Sequence, residues 1–346
     1  MKLTLPNQKI TIFTICLSLF GLSPLIAQEN PYRPQIPKYP NNAPPPGKNT
    51  LPSEIIDNID YRVNALQRDI KGNLWVGSWQ GLANINPNTG KILARIALPN
   101  VHISALAQDK VGRIWVGTAA GLIRVDPRTN KVTAHNITLP SNRILSLLID
   151  RQGYLWVGSD RGIALISPDQ GLLMKTITKL PGVSANTLSL DSAGNIWAGT
   201  LDGLTQINNS NAETINRIAN LPGITVQVLA LSPTGTLWIG TPRGLLEFDP
   251  KSATIIQSIN DVAGKNIKSL NFDKENSLWV GTENGLLRLD TTTGKILGEI
   301  GNLPSSRILS ISPDTGNKLW VGTTEGLAWV SLKTWQAKPH LGFVRP

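Results

Sequence analysis

Residues 278–286 read Leu278-Trp279-Val280-Gly281-Thr282-Glu283-Asn284-Gly285-Leu286, and residues 74–82 read Leu74-Trp75-Val76-Gly77-Ser78-Trp79-Gln80-Gly81-Leu82. The apolar run at the start of each is too short for a helix and too continuous for a sheet with one wet face. It reads as a strand buried on both sides. The Gly-Ser/Thr-x-x-Gly that follows makes a tight reversal into a second strand.

Outward from these two stretches the same unit recurs along the chain. It is anchored on Trp75, Trp115, Trp156, Trp197, Trp238, Trp279 and Trp320, spaced first by 40 residues and then by 41. Gly stands two and six positions after each of these tryptophans. Six positions before them are Asp69, Asp109, Asp150, Asp191, Ser232, Asp273 and Asp314; three before is Gly, replaced by Asn276 and Asn317 in the last two copies. Asp with Gly three residues later is a turn signature, the carboxylate accepting from backbone two residues on. Asn is the substitute where positive φ is needed. A short strand precedes each turn, such as Ile144-Leu145-Ser146-Leu147, and a weaker one follows the reversal, as at residues 92–96. Four short antiparallel strands per repeat of about 41 residues describe a propeller blade, not a helical solenoid. The fold expected is therefore all-β, a seven-bladed β-propeller over residues 51–346, with the recurrent tryptophans packing between blades. The outer strand of blade seven has two candidate sources, residues 334–344 and residues 54–60.

The flanking sequence reads differently. Lys2 and Lys9, an apolar run over residues 10–20, Pro24 and Ala27 resemble a secretory signal peptide over 1–27, cut after Ala27; the alternative is an uncleaved membrane anchor. Cleavage predicts a periplasmic or secreted protein with no stable membrane insertion, and removes Cys16, the single cysteine. In residues 28–50, Pro31, Pro34, Pro37 and Pro40 fall at every third position, the period of polyproline II, and suit a semi-rigid linker. With 33 Lys plus Arg against 23 Asp plus Glu the chain is basic, but it has no charge run, and export makes nucleic acid an unexpected partner. One cysteine excludes a disulfide framework or a cysteine zinc site, and three histidines offer little for a metal centre. No metal and no cofactor are expected.

The units around Trp75 and Trp279, with their sister copies, resemble the two-component regulator propeller repeat over roughly residues 60–330. The resemblance implies the fold and an extracytoplasmic recognition role of the kind found in periplasmic sensor regions of hybrid histidine kinases. Residues beyond 330 show no kinase-like or receiver-like pattern, so the signalling step itself is not implied.

In a repeat protein identical positions build the scaffold and divergent ones carry specificity. Just before the first strand of each repeat stand Arg62, His102, Arg143, Ser184, Thr225, Asn266 and Arg307; between the two glycines of each reversal stand pairs that include Trp79, Arg161 and Arg243. If the first strand is innermost, both sets share one face around the channel mouth. Arg62, His102, Arg143 and Arg307 then form a basic arc across blades seven, one, two and three, with Trp79 beside it as an exposed aromatic. Arg161 and Arg243 complete the candidate ligand-binding set. Such an arc suits a carboxylated or sulfated sugar or an acidic peptide. The expected function is non-catalytic ligand binding by a monomer, with an interaction scaffold for an envelope protein as the first alternative. A second alternative rests on resemblance to the seven-bladed streptogramin lyases, whose chemistry uses paired His and Glu with a bound metal. Here His102 lies near the expected face, while His135 falls in an outer strand and His340 near the C-terminus, so no His-Glu pair forms and no catalytic residue is expected.

Overall fold

The computed structural model describes residues 60–98, 101–135 and 139–345. The expected signal peptide and proline-rich linker lie outside the described residues. Blade one consists of β1 (Val63–Arg68), β2 (Leu74–Ser78), β3 (Gly81–Ile85) and β4 (Ile92–Ile96), antiparallel and paired in chain order. The same four-stranded meander recurs over residues 103–135, 144–177, 187–218, 228–258, 267–300 and 308–339, giving seven sheets. The molecule is a seven-bladed β-propeller.

The first strand of every blade is innermost, packed beside the first strands of both neighbouring blades. The second strands, such as β2 and Leu278–Thr282, are buried along their whole length, as their unbroken apolar runs require. Outer strands alternate exposed and covered residues or are exposed throughout. In blades one to six the outer strand also carries a bulge, at Leu93, Thr133, Met174, Ile215, Ile256 and Leu297. A bulge breaks the regular ladder at an open edge and disfavours pairing with another chain.

Each recurrent tryptophan is fully buried and packs against the following blade. Trp75 lies in a cluster with Ile103, Ile114, Val116 and Val125 of blade two; Trp320 lies with Val63, Leu74, Val76 and Ile85 of blade one. The glycine two positions on has a matching reason. A Cβ built on Gly77 would stand 2.6 Å from Ile103 Cγ2, and one on Gly117 would stand 2.6 Å from Ile144 Cγ2, so the next blade's first strand fits only against bare backbone.

The turn aspartates do more than close turns. Asp69 Oδ1 accepts from the backbone N–H of Lys71 (2.9 Å) and Asn73 (2.8 Å), while its Oδ2 accepts from Trp75 Nε1 at 3.1 Å. Asp109, Asp150, Asp191 and Asp273 hold their own tryptophans in the same way. Blade five has Ser232 at this position, and the buried Trp238 Nε1 has no acceptor. Asp314 corrects the uniform turn expectation: its Oδ2 turns to the Lys274 backbone N–H (2.7 Å), and Trp320 Nε1 donates instead to the Thr315 carbonyl (3.1 Å).

The ring closes through the C-terminal segment. Ala337–Pro339 pairs with the third strand of blade seven, so of the two candidate sources the one at residues 334–344 supplies the outer strand. Beyond it Phe343 is buried in the cluster that joins blade seven to blade one. His340 Nε2 lies 2.7 Å from the Gly90 carbonyl, Arg95 Nη2 donates to the Gly342 carbonyl at 2.9 Å, and Ser310 Oγ donates to the Val63 carbonyl at 2.9 Å.

Candidate functional site

Innermost first strands put the two divergent sets on one face. The N–H groups of Ala119, Asp160 and Thr324, in the reversals of blades two, three and seven, donate to the carbonyls of His102, Arg143 and Arg307. In these three blades the loop before the inner strand is thus joined to the reversal beside it, and in blade one Tyr61 meets Trp79 of the reversal at 5.4 Å, so loops and reversals share one rim at the channel mouth. Arg62, His102, Arg143 and Arg307 lie on this rim in consecutive blades, all exposed. Arg161, next to Asp160, joins the arc at blade three.

The arc is not bare positive charge. Arg62 Nε donates to Asp60 Oδ1 at 2.8 Å and Oδ2 at 2.9 Å, and Nη2 to Oδ2 at 2.5 Å. These bonds hold the Asp60 carboxyl below its ordinary range. Arg62 thus reaches the mouth with an internal counter-ion, leaving Arg143 and Arg307 without a carboxylate partner among the described residues. His102 Nε2 lies 3.1 Å from Asn64 Nδ2, which also donates to the Ile103 carbonyl at 3.2 Å. Desolvation of the ring, then the nearby Arg62 charge, push the His102 pKa below 6.5, with a further push from Arg143 that Asp60 opposes.

Two expected members sit differently. Trp79 is half-buried, not an exposed plate: its ring meets Tyr61 edge to face at 5.4 Å, and its Nε1 is buried without a partner. Tyr61 is itself buried and lies under the Arg345 guanidinium at 5.4 Å, so Trp79 anchors the start of blade one. Arg243 is exposed on the same face but in blade five, outside the arc, where it borders a recess of about 220 Å³ with Pro222, Thr241 and Asn260. The opposite side of the rim is mixed, with Lys268 Nζ 3.4 Å from Glu283 Oε1 in blade six. Asp60, Tyr61 and Asn64 are the members that sequence reading missed. Asp60 alone had a signal, an acid two residues before Arg62.

Among the described residues no group of three or more His, Cys, Asp or Glu is placed to hold a metal ion. His135 ends the outer strand Lys131–His135, and His340 packs against Phe343 and Trp320. No helix among the described residues is long and apolar enough to cross a membrane.

The sequence pattern of the two component regulator propeller family matches residues 97–120 and 138–161, the inner halves of blades two and three. No curated protein matches the chain. Among solved structures, two from B. thetaiotaomicron, described as extracellular domains of hybrid two component systems, share the fold. They have TM-scores of 0.65 and 0.67 at 23% and 22% identity, over 76% and 78% of this chain. The chain spans 39% and 38% of their lengths. Virginiamycin B lyase from Staphylococcus aureus is similar at TM-score 0.65 and 17% identity, over 78% of this chain and 94% of the lyase. At these identities the likeness is one of fold. The chain thus matches the two component regulator propeller pattern in two of its seven blades, and shares the fold of those solved structures.

Proposed function

We propose that this propeller is an extracytoplasmic recognition module that binds an acidic ligand at its channel mouth and does not transform it. The observation that carries the reading is the arc of Arg307, Arg62, His102 and Arg143 on four consecutive blades, of which Arg307 and Arg143 have no carboxylate partner among the described residues. Guanidinium groups on a rigid rim favour carboxylate or sulfate through paired N–H donors and lose little freedom on binding. A carboxylated or sulfated oligosaccharide, or an acidic peptide, meets that geometry. The positively charged, apolar N-terminal sequence and the extracellular setting of the two B. thetaiotaomicron domains support an envelope location.

Thermal-shift titration with oligogalacturonate and with a sulfated disaccharide, against a neutral disaccharide, tests this. A ligand at about 100 times its Kd adds roughly 2.7 kcal/mol to stability. We expect a saturable rise in Tm with an acidic ligand that disappears in Arg143→Glu/Arg307→Glu while the variant's own Tm is unchanged. An equal response to the neutral sugar, or full retention in the double variant, would count against the arc. Silence toward every small ligand, with salt-sensitive capture of an envelope protein, would favour a scaffold.

A further inference from the structure

The turn between the third and outer strand of each blade places one residue in the left-handed backbone region. In blades one to six these are Gly90, Asn130, Gly171, Ala212, Ala253 and Gly294, with φ between 54° and 78°. Blade seven has Trp335 there, at φ 57°. The turn is otherwise the same: Trp335 N–H donates to the Ser331 carbonyl at 2.8 Å, as Gly90 N–H does to that of Asn86. A large side chain is disfavoured in this region, so its presence where small residues serve six times asks for a reason.

The Trp335 ring is 41% exposed and leans on the buried Trp279 of blade six, centroids 5.7 Å apart at 34°. The Arg288 guanidinium stacks 5.0 Å from the Trp335 centroid. Opposite Arg288 on the outer strand stands Gly298, where the other six blades carry Ala94, Ala134, Lys175, Asn216, Gln257 and Lys338. A Cβ built on Gly298 meets nothing within 4 Å. The missing side chain leaves a recess of about 260 Å³ between blades six and seven, bounded by Trp335, Trp279, Arg288, Leu297, Gly298 and Glu299.

The polar groups of the recess define what fits. Arg288 Nη2 donates to Asp273 (3.1 Å) and Glu275 (2.7 Å), so its charge is already met, yet its buried Nε has no partner. Glu299 offers an exposed carboxylate on the rim. Three carboxylates around one guanidinium disfavour an anion, and Arg288 already takes the place of a cation on the Trp335 ring. What remains is a neutral ring with one apolar face for the indole and hydroxyls that donate to the exposed Glu299 carboxylate. We propose that this recess binds a single neutral pyranose residue of a glycan, stacked on Trp335, at a site separate from the channel mouth.

Calorimetric titration of the full chain with neutral tetrasaccharides of glucose and of N-acetylglucosamine tests it. Trp335→Gly restores the residue found at three of the sister turns, and Gly298→Leu fills open space, so both variants are expected to fold. The wild type should bind at least one tetrasaccharide saturably, with affinity falling tenfold or more in each variant and unchanged in Arg143→Glu/Arg307→Glu. Absence of saturable binding to both sugars, or binding that either recess variant retains, would overturn the proposal.

Discussion

The carboxylate that joins turn and tryptophan is the smallest unit on which the ring depends. Asp150 is 3% exposed and accepts from the N–H groups of Gly153, Tyr154 and the Trp156 indole. Replacing it by Ser leaves a buried indole N–H without an acceptor, the condition already present at Trp238. Asp150→Ser should cost about 1–3 kcal/mol, measured by chemical denaturation. The sequence showed both residues at fixed spacing, but turn chemistry accounted for the Asp and blade packing for the Trp, so nothing in it required the bond between them. Asp314 shows the converse, since the repeat position is kept while its carboxylate bonds Lys274 of blade six and the Trp320 indole turns to the Thr315 carbonyl.

His102 gives the residue scale a pH signature. Its pKa is held below 6.5 by desolvation and by Arg62, so it is neutral at pH 7 and above. The unfolded chain takes up the proton first as pH falls. Its contribution to stability is therefore complete above about pH 6.5 and is lost as pH drops through the lowered folded value. Protonation also adds a charge to the arc. Affinity for a sulfated ligand, whose charge is constant, should rise as pH falls below 6.5, and His102→Asn should flatten that rise. Removing the counter-ion acts in the same direction: Asp60→Asn should strengthen acidic-ligand binding several-fold at pH 7.5, read by titration, because Arg62 is freed.

At the scale of elements, strand identity was legible because burial on both sides leaves no room for polar residues. The run Leu-Trp-Val-Gly-Thr of Leu278–Thr282 is buried at every position, and an apolar pentamer between turn signals has few other readings. The glycine within it has a cause that its own strand does not reveal. Gly117 is confined by Ile144 of the next blade, with 2.6 Å between a built Cβ and Ile144 Cγ2. Gly117→Ala should cost about 1–3 kcal/mol by forcing two blades apart, whereas Gly301→Ala, where nothing lies within 4 Å, should be close to neutral. Thermal unfolding of the pair separates crowding from the general effect of adding a methyl group. The candidate arc was legible only as a set of positions, because the register of loops on one face follows from strand order. The burial of Trp79 was not legible, since it rests on packing against Tyr61, 18 residues before it and outside the repeat unit.

At the scale of the molecule, closure makes seven weakly independent blades into one ring. Blade seven draws all four strands from contiguous chain, so the seam to blade one is held by side chains and loop contacts, not by an exchanged strand. Phe343, 1% exposed against Val63, Leu74 and Trp320, is the largest apolar group added after the last strand. Phe343→Ala should cost about 3–5 kcal/mol, and hydrogen exchange should quicken first in β1 and in Ile308–Ser312 on either side of the seam. A uniform rise across all blades would show that the seam is not the weak point. The closed ring in turn holds the arc rigid, since the loops carrying Arg307, Arg62, His102 and Arg143 descend from inner strands packed shoulder to shoulder.

Recognition of an acidic ligand by that arc is tested most directly by calorimetric titration of a sulfated disaccharide into the full chain at pH 7.5. The wild type should bind with an affinity that falls as salt is raised, and Arg143→Glu/Arg307→Glu should abolish binding with its Tm unchanged. Binding of equal strength in the double variant, or no salt dependence in the wild type, would contradict it.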